Sequence, residues 1–136
     1  MRLPGGARLI DDSYNANPAS VRAGLRALAA LDGRHWLVLG EMRELGEESS
    51  QLHAEIGEFA RQSGVARLFA VGEEARHAVE GFGTGATWFA VVEELTAVLG
   101  AELVPGVTVL VKGSRSNRLE RVAVALGAGA ADGRAH

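Results

Sequence analysis

The sequence predicts an α/β fold built on a mostly parallel sheet with helices on both faces. Three observations predict it. Short apolar runs alternate with amphipathic stretches along the whole chain, which is the pattern of strands joined by crossover helices. Two of those runs, HWLVLG at 35–40 and VTVLVK at 107–112, are almost continuously apolar, as expected of strands covered on both sides. At 136 residues with 47% hydrophobic and 23% charged positions, the chain has the size and composition of one globular domain with a real core.

The elements follow in order. Residues 7–12 (ARLIDD) form a strand that breaks at a polar cluster ending in Pro18. From about Ser20, a possible N-cap, Val21, Leu25 and Leu28 recur at helical spacing. The strand at 35–40 is expected to be central. A polar loop then leads into a helix near 48–62, striped by Leu52, Ile56, Phe59 and Ala60 and closed by Gly64. A third strand at 65–72 precedes a short helix at 73–80, and Gly81, Gly83 and Gly85 mark a turn-rich stretch before a fourth strand at 87–91. A helix at about 92–99 and the Pro105-Gly106 turn lead to the strand at 107–112. Leu119, Val122, Ala123 and Leu126 define a last helix. The result is a Rossmann-like three-layer sandwich, with a sheet of five to six strands and no glycine-rich dinucleotide fingerprint. Residues 1–126 are expected to be one domain, and the small, polar 127–136 a frayed tail.

Composition excludes several classes of function. The chain has no cysteine, so disulfides, thiolate zinc sites and cysteine nucleophiles are absent. A net charge of -3 and a pI near 5.8 argue against nucleic acid as partner. His35, His53, His77 and His136 show no ligand spacing and read as ordinary surface or partly buried residues, so no protein-bound metal is expected. No apolar run approaches the ~20 residues of a membrane span and the N-terminus lacks a secretory stretch, so a soluble, cytoplasmic protein is expected.

In open parallel sheets, ligands gather at the carboxyl ends of the strands, and three loops there carry polar chemistry. The first contains Asp12, Tyr14, Asn15 and Asn17. A carboxylate at a strand end can accept from vicinal ribose hydroxyls, and Asn and Tyr offer contacts to a base or phosphate. The same residues also suit a plain polar turn. The second contains Lys112, Ser114 and Arg115 after Gly113, a natural receiver for a carboxylate or phosphate. Helix capping by Ser116 beside solvent-facing charges is the alternative. The third, 40–49, is rich in glutamate. It suits a cation, a basic partner or paired acid and base groups, but equally a helix dipole. No G-x-x-x-x-G-K-[ST] phosphate loop occurs.

In combination, DSYNANP at 12–18, VLGEMRELG at 38–46 with Glu48, Ser49 and His53, and VKGSRS at 111–116 with Glu120 beyond resemble the third, C-terminal domain of the Mur ligases over roughly residues 7–126. The first and third loops are most similar to the branch of that family that adds D-alanyl-D-alanine to the UDP-N-acetylmuramoyl-tripeptide of peptidoglycan synthesis. The resemblance implies ATP-dependent formation of an amide bond in the cytoplasm. The precursor's terminal carboxylate is phosphorylated and the incoming amine attacks it, with ATP and Mg²⁺ used by the full-length enzyme. The implied partners within the same polypeptide are a central ATPase domain bearing the phosphate loop and an N-terminal domain for the UDP-precursor.

By the same resemblance, Asp12 lies at the ATP ribose, with Tyr14, Asn15 and Asn17 near the nucleotide. Lys112, Ser114 and Arg115 would hold the carboxylate of D-alanyl-D-alanine. Residues 41–46 would line that cleft or meet the central domain. Since Met1 stands only a few residues before the first motif, the chain is expected to be a piece of a longer protein, without catalytic residues of its own, binding no cofactor alone and inactive alone. The competing readings are a freestanding Rossmann-like nucleotide-binding regulatory module, a sibling Mur ligase's domain and a structural interaction domain. The last is separated from the others by whether the loops of Asp12 and Arg115 share a rim.

Overall fold

A computed structural model of the chain describes residues 1–13, 16–113 and 118–135, with side chains described as far as Gly127. Five strands, β1 (Arg8–Asp12), β2 (Arg34–Leu39), β3 (Arg67–Val71), β4 (Ala86–Phe89) and β5 (Val107–Lys112), form one sheet in the order β1-β5-β2-β3-β4. All four strand pairings are parallel. Among the described residues, five α-helices connect or follow them: α1 (Pro18–Ala29), α2 (Ser49–Gln62), α3 (Arg76–Phe82), α4 (Val92–Glu102) and α5 (Glu120–Ala135). The expected α/β three-layer architecture is present, and β2 is the central strand. The tail expected to be frayed, 127–136, falls almost wholly where side chains are not described.

Strand alternation divides the apolar residues between two cores. Trp36, Val38, Val109 and Val111 join Leu95, Leu99, Leu119 and Val122 on the side of α4 and α5. Leu37, Leu39 and Leu110 join Val21, Leu25, Ile56 and Phe82 on the side of α1, α2 and α3. Every residue of β5 is buried, which explains its nearly unbroken apolar sequence.

Local chemistry moves several boundaries. Helix α1 begins at Pro18, two residues before the expected start, because Asn17 is the N-cap. Its Oδ1 accepts from Ser20 N–H at 2.8 Å, while Ser20 Oγ accepts from Asn17 N–H at 3.0 Å. Ser20 thus completes a capping box from the third helical position, and Pro18 stands where its missing N–H costs nothing. Helix α3 begins later than expected, at Arg76, and includes Gly81.

That glycine marks a helix contact. A Cβ on Gly81 would stand 2.0 Å from the Ala54 carbonyl oxygen of α2, and one on Gly57 would stand 2.0 Å from the Ala78 carbonyl oxygen of α3. Backbones touch where side chains usually separate helices, so α2 and α3 pack as one unit against the sheet. Gly57→Ala or Gly81→Ala is expected to destabilise the fold by about 1–3 kcal/mol through overpacking, read as a lower urea midpoint at unchanged slope. Gly5→Ala, which meets nothing within 4 Å, serves as the near-neutral control.

Candidate functional site

The first and second candidate loops converge at the carboxyl end of the sheet. Although separated by a hundred positions in sequence, Asp12 and Lys112 are register partners at the ends of adjacent strands β1 and β5. Lys112 Nζ donates to Asp12 Oδ2 at 2.5 Å. Lys112 is 1% exposed and Asp12 51% exposed, so the carboxylate faces solvent while the ammonium lies beneath it. Lys112 is also in register with Leu39 of β2, and its carbonyl accepts from Gly40 N–H at 2.9 Å. The starts of all three polar loops therefore share one rim.

Not every predicted residue has the same place in it. The side chain of Asn17 caps α1. Tyr14, Asn15, Ser114 and Arg115, like Ser116, lie outside the described residues. Gly113 does permit a close approach, and the neighbour is Leu119: a Cβ there would stand 2.4 Å from Leu119 Cδ1. Next to Asp12, Asp11 Oδ1 accepts from Ser13 N–H at 3.1 Å, which tightens the chain as it leaves β1.

The loop after β2 is held more firmly than its sequence suggests. Nε2 of His53 accepts from Met42 N–H at 3.0 Å, and Nδ1 lies 2.8 Å from the Ser49 carbonyl oxygen. Because a carbonyl only accepts, Nδ1 carries the proton and the ring is neutral. His53 is wholly buried, and desolvation lowers its pKa below the ordinary 6.5, against opposing effects from the Ser49 hydrogen bond and from Glu74 and Glu41.

On the other side of the loop, Glu41 Oε2 accepts from Glu74 N–H at 3.0 Å. A Cβ on Gly72 would stand 2.6 Å from Glu41 Cγ, so the glycine admits that side chain. The exposed tip carries Arg43 and Glu44, with Glu44 at φ 62°. Glu41, Arg43, Glu44, Leu45, Ser49 and Glu74 border a shallow hollow of about 230 Å³.

His53 was expected to be an ordinary surface or partly buried residue. Its sequence signal was position: three and seven residues before Ile56 and Ala60, it falls on the buried face of α2. A depression of about 550 Å³ lined by Arg2, Arg8, Asp32 and Thr108 lies at the opposite, amino end of β1 and β5. Loops at the carboxyl ends are where open parallel sheets bind ligands, and the paired Asp12 and Lys112 are there. Among the described residues, no group of three or more His, Asp or Glu side chains is arranged to hold a metal, and no helix is long and apolar enough to cross a membrane.

Comparison with known proteins matches residues 1–115 to the family described as Mur ligase, glutamate ligase domain. The UDP-N-acetylmuramoyl-tripeptide–D-alanyl-D-alanine ligase of Escherichia coli K12 is 40% identical over 129 residues, covering 93% of this chain and 28% of that protein. Its counterpart in Mycobacterium tuberculosis H37Rv is 43% identical over 146 residues, covering 89% and 29%. The crystal structure of MurF ligase from Thermotoga maritima in complex with ADP superposes with a TM-score of 0.80 at 28% identity, covering 91% of this chain and 29% of that one. The chain thus spans less than a third of the length of these relatives.

The neutral, buried His53 gives a pH prediction. With its folded pKa below the unfolded 6.5, the unfolded chain takes up a proton first as pH falls. Stability is therefore undiminished by this group above pH 6.5 and declines as pH drops from there toward the folded pKa, with a limiting slope of about 1.4 kcal/mol per pH unit. Urea unfolding between pH 5 and 8 should show this decline in the wild type. The decline should be shallower in His53→Gln, whose amide oxygen accepts from Met42 without titrating.

Proposed function

Since the chain belongs to the Mur ligase family through its glutamate ligase domain, we propose that it is the C-terminal domain of a ligase that uses ATP to add D-alanyl-D-alanine to UDP-N-acetylmuramoyl-tripeptide. The observation that carries this reading is the shared rim: a half-exposed carboxylate and a cationic loop start side by side on β1 and β5. A ligase that joins an amine to a carboxylate at the expense of ATP needs such adjacency, because the nucleotide and the incoming amine must meet at one reacting carboxylate. The identity of 40% to the E. coli ligase supports the choice of this family member over its siblings.

In this reading, Asp12 accepts hydrogen bonds from the ribose hydroxyls, for which its exposure leaves room. Tyr14, Asn15 and Asn17 border the nucleotide. Ser114 and Arg115 receive the carboxylate of D-alanyl-D-alanine, the guanidinium in a bidentate pair, and Lys112 stands at the start of the same loop. The phosphate loop and the Mg²⁺ that neutralises phosphate charge belong to the central domain of the same polypeptide, and the UDP-precursor to its N-terminal domain. This domain closes over both. Residues 1–126 contain the packed core of this unit, which works in the cytoplasm where ATP and the UDP-precursor are available.

Two outcomes test the reading. The isolated chain should neither hydrolyse ATP nor form the amide, whereas the full-length polypeptide should release phosphate only with both other substrates present. Arg115→Ala in the full-length protein should raise KM for D-alanyl-D-alanine by about 10- to 150-fold, the equivalent of a charge-assisted interaction of about 1.5–3 kcal/mol, with KM for ATP little changed. An unchanged dipeptide KM sinks the carboxylate assignment. Tight nucleotide binding by the chain alone favours a freestanding nucleotide-binding module instead.

A further inference from the structure

Lys112 is buried more completely than a residue that receives a ligand needs to be. Its side chain is 1% exposed and starts from β5 on the same face as Leu110, toward α1. Gly24 of α1 lies over this layer: a Cβ there would crowd Leu110 Cδ2 at 3.1 Å and meet Lys112 Cδ at an ordinary contact distance of 3.7 Å. Among the described residues, the side-chain partner of its ammonium is Asp12. Its backbone is tied to β2 through the Gly40 N–H.

We infer that Lys112 is a positioning residue for Asp12, acting on the nucleotide side of the rim through that carboxylate rather than receiving the dipeptide. The inference rests on the ligase reading above. A buried ammonium is strongly held to its carboxylate partner, because separating the two would remove that counter-charge away from water. The half-exposed carboxylate of an edge strand is thereby fixed through Oδ2. Its orientation toward a vicinal diol is set before the ligand arrives. The pair is also close to neutral overall, so Asp12 can approach a nucleotide without repelling its phosphates.

The test uses the full-length polypeptide with Lys112→Met, which keeps the stem beneath α1 and removes the charge, Asp12→Asn, and the double variant. Affinity for a non-hydrolysable ATP analogue is read by calorimetry, KM for D-alanyl-D-alanine by phosphate release, and folding by thermal unfolding. Lys112→Met should weaken the analogue by roughly 10-fold and leave the dipeptide KM within about twofold. In the Asp12→Asn background it should add little, since the two residues act as one unit. Lys112→Arg, which retains a charge, should recover part of the nucleotide affinity.

A roughly 10-fold rise in dipeptide KM with unchanged nucleotide affinity, or independent effects of the two substitutions, overturns the inference. If the wild type shows no phosphate release dependent on D-alanyl-D-alanine, the ligase reading fails, while calorimetry still decides whether Lys112 acts through Asp12. A wild type that binds no nucleotide overturns both.

Discussion

The insertion of β5 between β1 and β2 is the constraint on which the rim depends. The last strand of the chain lies beside the first, in the order β1-β5-β2. Only that arrangement brings Asp12 into register with Lys112, and Lys112 into register with Leu39. The insertion also demands that β5 be apolar on both faces. Its terminal residue is then a lysine whose stem must lie in a hydrophobic layer. The carboxylate at the end of β1 makes that burial tolerable, so the ion pair is a consequence of topology as well as a feature of the site.

The two cores support this rim differently. On one face, Trp36 and Phe69, with ring centroids 5.5 Å apart, and the valines of β5 form a continuous aromatic and β-branched layer under α4 and α5. On the other, α2 and α3 meet backbone to backbone at Gly57 and Gly81, so displacement of either helix would be felt by the other. The loop after β2 is tied to both helices, to α2 through His53 and to the turn before α3 through Glu41. The second core thus fixes a loop as well as the stem of Lys112, which lies on the same face as Leu110.

Much of the fold was legible in the sequence because hydrophobic period reports burial directly. The strand at 107–112 coincides with β5, and the central place of β2 followed from its apolar run. Helix starts were less legible because they depend on which of several adjacent polar residues turns inward. Asn17 and Ser20 are both good caps, and their reciprocal bonds decide between them. Gly81 read as a turn because a glycine's local preference carries no trace of the helix packed against it. In the site, loop chemistry identified Asp12 and Lys112 as polar groups at strand ends. That they face each other is a fact of strand order, which local sequence does not encode.

His53 shows why the remaining part was hidden. A histidine on an apolar helical stripe has the same sequence signature whether its ring is exposed at the edge or buried at the centre. The structure assigns both ring nitrogens to backbone groups, one in the loop and one in its own helix, which fixes the tautomer and leaves no nitrogen for a ligand. Its contribution is to hold the backbone of Met42, two residues beyond the Gly40 N–H that binds the Lys112 carbonyl. The chain from Lys112 through Gly40 and Met42 to His53 is therefore a run of backbone anchors. It supports the strand end from which the Lys112 side chain holds Asp12, so precision at the exposed carboxylate is set by groups that are themselves buried.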